Sequence, residues 1–278
     1  MKVGLPLGML NPRMWREVTQ TADRLGYESV WIPEHLILPV HSSGSPFSGQ
    51  EHPPIPPDIP VFDPFVYMGA LAGCTESIRF GTHVYNIGLR HPFISARAVA
   101  TLDIVSSGRV ELGIGASWLA EEWAATGLDF GTRGRRVNEA IAVCRRLWTD
   151  KEIEHHGEFF DFEPVMFEPK PFQPRIPVHV GGDSAAALRR AALLGDGWIP
   201  MNHTLDQIPG SIAKITSMRE AAGITPDIEV TMGLPVETRD DLARYEEAGV
   251  GRVLVRPWSS SREAVDGLKR FAGEVLHA

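Results

Sequence analysis

The sequence predicts an α/β fold, a (β/α)8 TIM barrel, from three observations. Eight short runs rich in apolar and β-branched residues recur along the chain, helical patterns separate them, and 278 residues suit a barrel, which takes about 250. The runs are residues 3–7, 29–32, 78–84, 110–114, 177–180, 197–200, 228–232 and 252–255. Most are nearly continuous rather than alternating, as expected of parallel strands buried on both faces. Between them, Trp15, Val18, Ala22 and Leu25 form one helical stripe, and Val137, Ala140, Ile141, Cys144, Leu147 and Trp148 form the clearest one. The same spacing returns in Leu188-Ala191-Ala192, Ile208-Ile212-Ile215, Leu242-Tyr245 and Val265-Leu268. Regular strand–helix alternation argues for a parallel sheet, and a count of eight favours closure over an open doubly wound sheet, the structural alternative.

Two segments interrupt the alternation. Residues 36–64 carry Pro39, Pro46, Pro53, Pro54, Pro56, Pro57 and Pro60 with the run Ser42-Ser43-Gly44-Ser45, and read as a long loop after strand two, of the kind that serves as a lid or is disordered. Residues 152–174 contain His155-His156-Gly157-Glu158-Phe159-Phe160-Asp161-Phe162 and read as a hairpin-like insertion after helix four. With no internal repeat, low-complexity tail or linker, residues 1–278 are expected to form one domain.

Composition narrows the function. No apolar run approaches the roughly 20 residues of a membrane helix, and Met1-Lys2-Val3-Gly4-Leu5-Pro6 lacks a signal-peptide h-region, so a cytoplasmic protein without a membrane partner is expected. Cys74 and Cys144 lie far apart in helical patterns and support neither a disulfide framework nor a zinc knuckle. A formal charge of −8 with no basic stripe excludes a phosphate-neutralising surface, and nucleic acid with it. Among ten histidines there is no His-Glu-x-x-His, and His155-His156 would diverge on an extended chain, so no metal is expected.

In a barrel, catalytic groups sit at the carboxyl ends of the strands. Here those ends read Pro33-Glu34-His35, Thr82-His83-Val84-Tyr85-Asn86, Gly113-Ile114-Gly115-Ala116-Ser117-Trp118, Gly181-Gly182-Asp183-Ser184, Pro200-Met201-Asn202-His203 and Arg256-Pro257-Trp258. Arg79 and Arg109, at the opposite ends, read as structural. His35 serves either as a proton donor or cofactor contact, or as a barrel cap bonded to a carboxylate. Glu34 is a poor direct partner for it, because neighbours on a strand face opposite ways. Gly181-Gly182-Asp183-Ser184 has two readings: a phosphate cradle at a helix N-terminus, or a turn in which Asp183 or Ser184 caps the helix. Gly113-Ile114-Gly115 lacks the rest of a dinucleotide fingerprint, and Gly182-Asp183-Ser184-Ala185-Ala186 lacks the last glycine of a nucleophile elbow.

At these residues the chain resembles the luciferase-like monooxygenase superfamily, and within it the deazaflavin-dependent oxidoreductase branch. The resemblance runs from Ala22 to Trp31 and Glu34-His35, through Asp63-Pro64-Phe65, Ile78-Arg79-Phe80-Gly81-Thr82, Ala100-Thr101-Leu102-Asp103 and Ser107-Gly108-Arg109. It continues through Gly113 to Trp118 with Glu121-Glu122, Arg133-Gly134-Arg135, Pro177 to Gly182 and Gly195-Asp196-Gly197-Trp198. The resemblance implies a flavin-like tricycle at the strand ends, backed by a bulge in strand three with a non-prolyl cis peptide at His83-Val84. It implies cofactor contacts at His35, Thr82, His83, Val84 and Asn86, and approach of Gly115, Ala116, Gly181, Gly182, Asp183 and Ser184 to the cofactor side chain and phosphate. One departure stands out: Trp118 occupies the position where some sugar-phosphate dehydrogenases of the branch carry a glutamate acid, which argues against a sugar phosphate. The resulting expectation is hydride transfer between coenzyme F420 and a small organic substrate by a homodimer, with His35 as the catalytic side chain. The alternatives are an FMN-dependent two-component monooxygenase and a non-catalytic flavin-binding barrel.

Overall fold

Four of the helices that follow strands begin where a side chain satisfies free amides. Asp63 caps one with Pro64 in its first turn, His91 caps another ahead of Pro92, Ser184 accepts from the Ala187 amide, and Thr238 forms a capping box with Asp241. In the computed structural model, which describes residues 1–41, 45, 56–224 and 227–277, these starts set the alternation. The chain runs β1 (Lys2–Pro6), α1 (Trp15–Arg24), β2 (Ser29–Ile32), α2 (Pro64–Ala72), β3 (Arg79–Thr82), α3 (Pro92–Val105) and β4 (Val110–Ile114). It continues with α4 (Ala120–Ala125), α5 (Arg133–Thr149), the pair β5 (Ile153–His156) and β6 (Asp161–Val165), β7 (Val178–Gly181), α6 (Ala185–Leu194) and β8 (Gly197–Ile199). The last elements are α7 (Ile208–Ala221), β9 (Glu229–Gly233), α8 (Arg239–Glu247), β10 (Arg252–Leu254) and α9 (Ala264–Phe271).

Eight of these strands close a parallel barrel in the order β1-β10-β9-β8-β7-β4-β3-β2, and all eight coincide with the apolar runs of the sequence. The antiparallel β5–β6 hairpin stands outside it, as the insertion after the Arg133–Thr149 helix. Strand three is shorter than the apolar run 78–84 suggests, because the ladder breaks after Thr82. Helix α4 was not anticipated; its six residues are too few to show a helical period. Of the long loop 36–64, Ser42, Ser43, Gly44, Pro46, Pro53 and Pro54 lie outside the described residues. No helix among the described residues is long and apolar enough to cross a membrane.

The barrel interior changes character along its axis. Near the strand starts it is ionic. Arg252, fully buried, donates to Glu28 at 2.8 and 2.9 Å and to the Thr231 hydroxyl at 3.1 Å, and pairs with Glu229 at 3.1 Å. Glu111 accepts from Arg79 and His179, each at 2.5 Å, and Lys2 pairs with Glu229 at 2.5 Å. Glu111, His179 and Glu229 bring ligand-type atoms within 4.8 Å of one another. The Arg252 guanidinium and the Lys2 ammonium already supply cations there, so the cluster needs no metal for charge balance. Arg109 instead donates to the carbonyls of Ser106, Ile78, Ala72 and Thr75, tying the β3 and β4 entries together. Arg79, through Glu111 and the carbonyls of Gly108 and Val110, and Arg109 both bond within the fold, in line with the structural reading of these two residues.

Burial opposes ionisation of Glu111, but the His179 hydrogen bond and the charges of Arg252 and Arg79 outweigh it and hold the carboxyl at about 2, below its ordinary 4.5. The folded state therefore binds fewer protons at this site than the unfolded chain. The stabilisation is complete above pH 4.5 and is lost as pH falls toward 2. Urea unfolding measured from pH 5 down to about pH 2.5 should show a steeper loss of stability in the wild type than in Glu111→Gln; equal slopes would remove Glu111 from the account.

Candidate active site

The geometry of the barrel mouth is set where β3 leaves its ladder. The His83 amide still donates to the Ile32 carbonyl at 2.8 Å; the His83–Val84 peptide is cis, and the chain rejoins β4 at Tyr85, whose amide donates to the Gly113 carbonyl at 2.8 Å. The Thr82 hydroxyl donates to that same carbonyl at 2.6 Å. Val84 is thereby displaced over a small apolar cluster of Trp31, Ile199 and Leu254 inside the barrel. Space for it comes from glycines. A methyl at Gly115 would lie 2.6 Å from Val84 Cγ2, one at Gly181 would lie 3.1 Å from Cγ1, and one at Gly113 would overlap the Thr82 carbonyl oxygen. Gly113 and Gly115, weak as a fingerprint, are thus explained by the bulge.

The polar corner lies beside this apolar floor. Glu34 and His35, adjacent in sequence, serve different partners. The Glu34 carboxylate is buried and accepts from Arg90 at 2.7 Å and from the Asn86 amide at 2.9 Å. His35 Nδ1 lies 3.2 Å from Glu122 Oε2, on α4, and its ring meets Trp118 edge-on at 5.9 Å. Glu122 is fully buried and also takes the Leu36 amide at 2.6 Å, Asn86 Nδ2 at 3.4 Å and the Ser117 hydroxyl at 3.4 Å. Ser117 has φ 62°, which turns the chain from β4 into α4 and brings Glu122 back over the mouth. His83 sits half-buried against Trp31, and burial pushes its pKa down, which favours the neutral imidazole.

Across the mouth, Ser184 caps α6, which settles the capping role between it and Asp183. The Asp183 carboxylate instead holds the loop after β8, accepting from the amides of Met201 and Asn202 at 2.9 Å, from Asn202 Nδ2 at 3.1 Å and from His203 Nδ1 at 2.8 Å. Gly182, at φ 113°, donates its amide to the Ile199 carbonyl. The first-turn amides of α6 beyond the cap have no intrahelical acceptor. A polar cavity of about 360 Å³, lined by Asp183, Asn202, His203, Ser211 and Lys214 among others, lies to one side.

The structure thus places Val84 against Gly115 and Gly181, His35 and Asn86 on the Glu122 carboxylate, and Gly182 to Ser184 at the turn that follows β7, with Ala116 next to Gly115 and Thr82 buried beneath. Sequence reasoning assigned no role to Glu122 or Arg90. Glu122 carried a signal, as a carboxylate pair beside Trp123 shortly after a strand end, but its direction depends on an unforeseen turn of helix.

The profile of the luciferase-like monooxygenase family matches residues 5–270. An uncharacterised protein of Mycobacterium tuberculosis is 34% identical over 240 residues, covering 86% of this chain and 83% of that one. The F420-dependent glucose-6-phosphate dehydrogenase of Segniliparus rotundus is 32% identical over 194 residues, 68% of this chain and 53% of that enzyme. Among solved structures, an F420-dependent secondary alcohol dehydrogenase in complex with an F420-acetone adduct superposes with a TM-score of 0.80 at 19% identity, over 99% of this chain and 98% of its own; at that identity the likeness is one of fold.

The steric account of the bulge separates glycines by position. Gly113→Ala should cost roughly 1–3 kcal/mol, whereas Gly69→Ala, in helix α2 with nothing within 4 Å of the added methyl, should be neutral or stabilising. Urea titrations of both variants check this. A neutral Gly113→Ala would contradict it.

Proposed function

The chain belongs to the luciferase-like monooxygenase family, and on that premise we propose that it is an oxidoreductase that passes a hydride between coenzyme F420, a 5-deazaflavin, and a small organic substrate. The observation that carries the reading is the pairing of an apolar platform with a polar corner. Val84 stands over Trp31, Ile199 and Leu254, while Asn86, two residues further on, meets His35 at the Glu122 carboxylate, with the His35 ring beside Trp118. A planar tricycle fits such a platform, because its faces bury against apolar surface while its edge atoms seek hydrogen bonds. In this reading Val84 and Ala116 back the ring, with Thr82, His83 and Asn86 forming the strand-three edge. Gly115, Gly181 and Gly182 admit the side chain, and the α6 turn from Asp183 to Ser184 receives the phosphate on its amides. The committed Asp183 carboxylate then shapes the turn rather than touching the anion. The bound deazaflavin would supply the hydride chemistry.

The protein's own contribution is placement and exclusion of water. His35 presents an imidazole at the ring margin, where it holds or takes up a proton as the hydride moves. Trp118 replaces a carboxyl with an apolar wall, so the substrate expected is a small, uncharged organic molecule rather than a sugar phosphate. The same platform would also hold FMN, and the monooxygenases of the family keep that second reading in view. A deazaflavin lacks the ring nitrogen that stabilises oxygen adducts, so the two readings differ in their reaction with oxygen.

Titrating the purified protein with F420 and with FMN, and following the fluorescence of its seven tryptophans, should show F420 bound at least about tenfold more tightly, a difference of about 1.4 kcal/mol. Tight binding of FMN alone would overturn the assignment. His35→Ala should slow single-turnover hydride transfer by about 100-fold while leaving the circular dichroism spectrum intact; an unchanged rate and affinity would make His35 structural.

A further inference from the structure

Two glutamates are buried at the barrel mouth, and only one is neutralised by a permanent cation. Glu34 has Arg90. Among the described residues, His35 is the only ionisable nitrogen within 4.0 Å of Glu122, a side chain with no solvent exposure. Its other contacts are neutral donors: the Leu36 amide to Oε1, and the Asn86 amide group and Ser117 hydroxyl to Oε2. Structural anchoring of α4 would need no histidine in this set. We propose that Glu122 is a positioning residue of the active site, holding His35 with its proton on Nδ1 so that Nε2 is the proton acceptor for a hydroxyl-bearing substrate. The inference rests on the hydride-transfer reading for its consequence, though not for its geometry.

A carboxylate only accepts, so the nitrogen facing it must carry the hydrogen. Nδ1 is that nitrogen, and in the neutral ring the lone pair then lies on Nε2. Among the described residues Nε2 has no hydrogen-bond partner, and the edge contact with Trp118 at 86° opposes rotation of the ring. The reaction balances with the oxidised deazaflavin of the proposed function as the hydride acceptor. With a deazaflavin bound, the cofactor would take the carbon-bound hydride of an alcohol, and Nε2 would take the hydroxyl proton as the carbon–oxygen double bond forms. The imidazolium so produced lies against a buried carboxylate, which offsets the cost of placing a charge in the site. Glu122 also holds the Leu36 amide, so the chain immediately after His35 is tied to the same group.

The test reads the tautomer directly. In cofactor-free protein labelled with 15N-histidine, the His35 resonances, assigned by their loss in His35→Gln, should report hydrogen on Nδ1. In Glu122→Gln the Nε2–H form should gain population. Single-turnover oxidation of an alcohol panel by the F420-loaded Glu122→Gln variant should fall by about tenfold or more, with F420 affinity changed by less than about threefold. Wild-type His35 found with hydrogen on Nε2, or a Glu122→Gln variant with unchanged tautomer and rate, would overturn the proposal. If Glu122→Gln fails to fold, the wild-type spectrum still decides between the tautomers. If F420 fails to bind, the cofactor reading falls while the tautomer measurement stands separately.

Discussion

The barrel mouth depends on one steric constraint: strand three cannot continue past Thr82 and still clear its neighbours. The Thr82 carbonyl occupies the space a side chain at residue 113 would need, and Val84 occupies that of side chains at 115 and 181. Glycine at those three positions lets the chain leave the β3–β4 ladder for two residues and rejoin it at Tyr85. Val84 then becomes a floor over Trp31, Ile199 and Leu254. The Asn86 amide comes within reach of Glu34, and Asn86 Nδ2 within reach of Glu122. The polar corner is therefore a consequence of the bulge as much as of its own residues.

The barrel separates three kinds of interaction along its axis. Ion pairs around Arg252 and Glu111 occupy the strand starts, the Trp31 cluster fills the middle, and hydrogen-bonded carboxylates border the mouth. Trp31 joins the first two layers, with the Arg252 guanidinium 5.2 Å from its ring and His179 edge-on at 5.6 Å. A buried charge network is specific rather than strongly stabilising, since desolvation offsets much of the Coulombic attraction. Here it links the starts of β2, β4, β7, β9 and β10 beneath the mouth. At the mouth the carboxylates do different work: Glu34 and Asp183 hold loops, and Glu122 faces the imidazole.

The strands were legible because a parallel barrel buries both faces of each one, which leaves continuous apolar runs that few other structures produce. The hairpin was legible from its aromatic and glycine content. Of the candidate site, the strand ends were legible by their polarity, and the cis peptide at His83–Val84 by resemblance. The partner of His35 was not. Glu122 lies 87 residues away, on a helix of six residues, and reaches the site through a positive-φ serine that carries no sequence mark. Asp183 shows the same limit: its sequence neighbours suggest a cap, while its acceptors are filled by a loop 18 to 20 residues downstream. Pairings between distant loops depend on closure of the whole barrel, and no local pattern encodes them.

The most direct test of the central claim is a crystal structure of the protein soaked with F420. The account predicts the deazaflavin ring against Val84 with His35 at its margin, and the phosphate on the first-turn amides of α6. Ring density away from Val84, or a phosphate bound elsewhere than at residues 181–184, would contradict it.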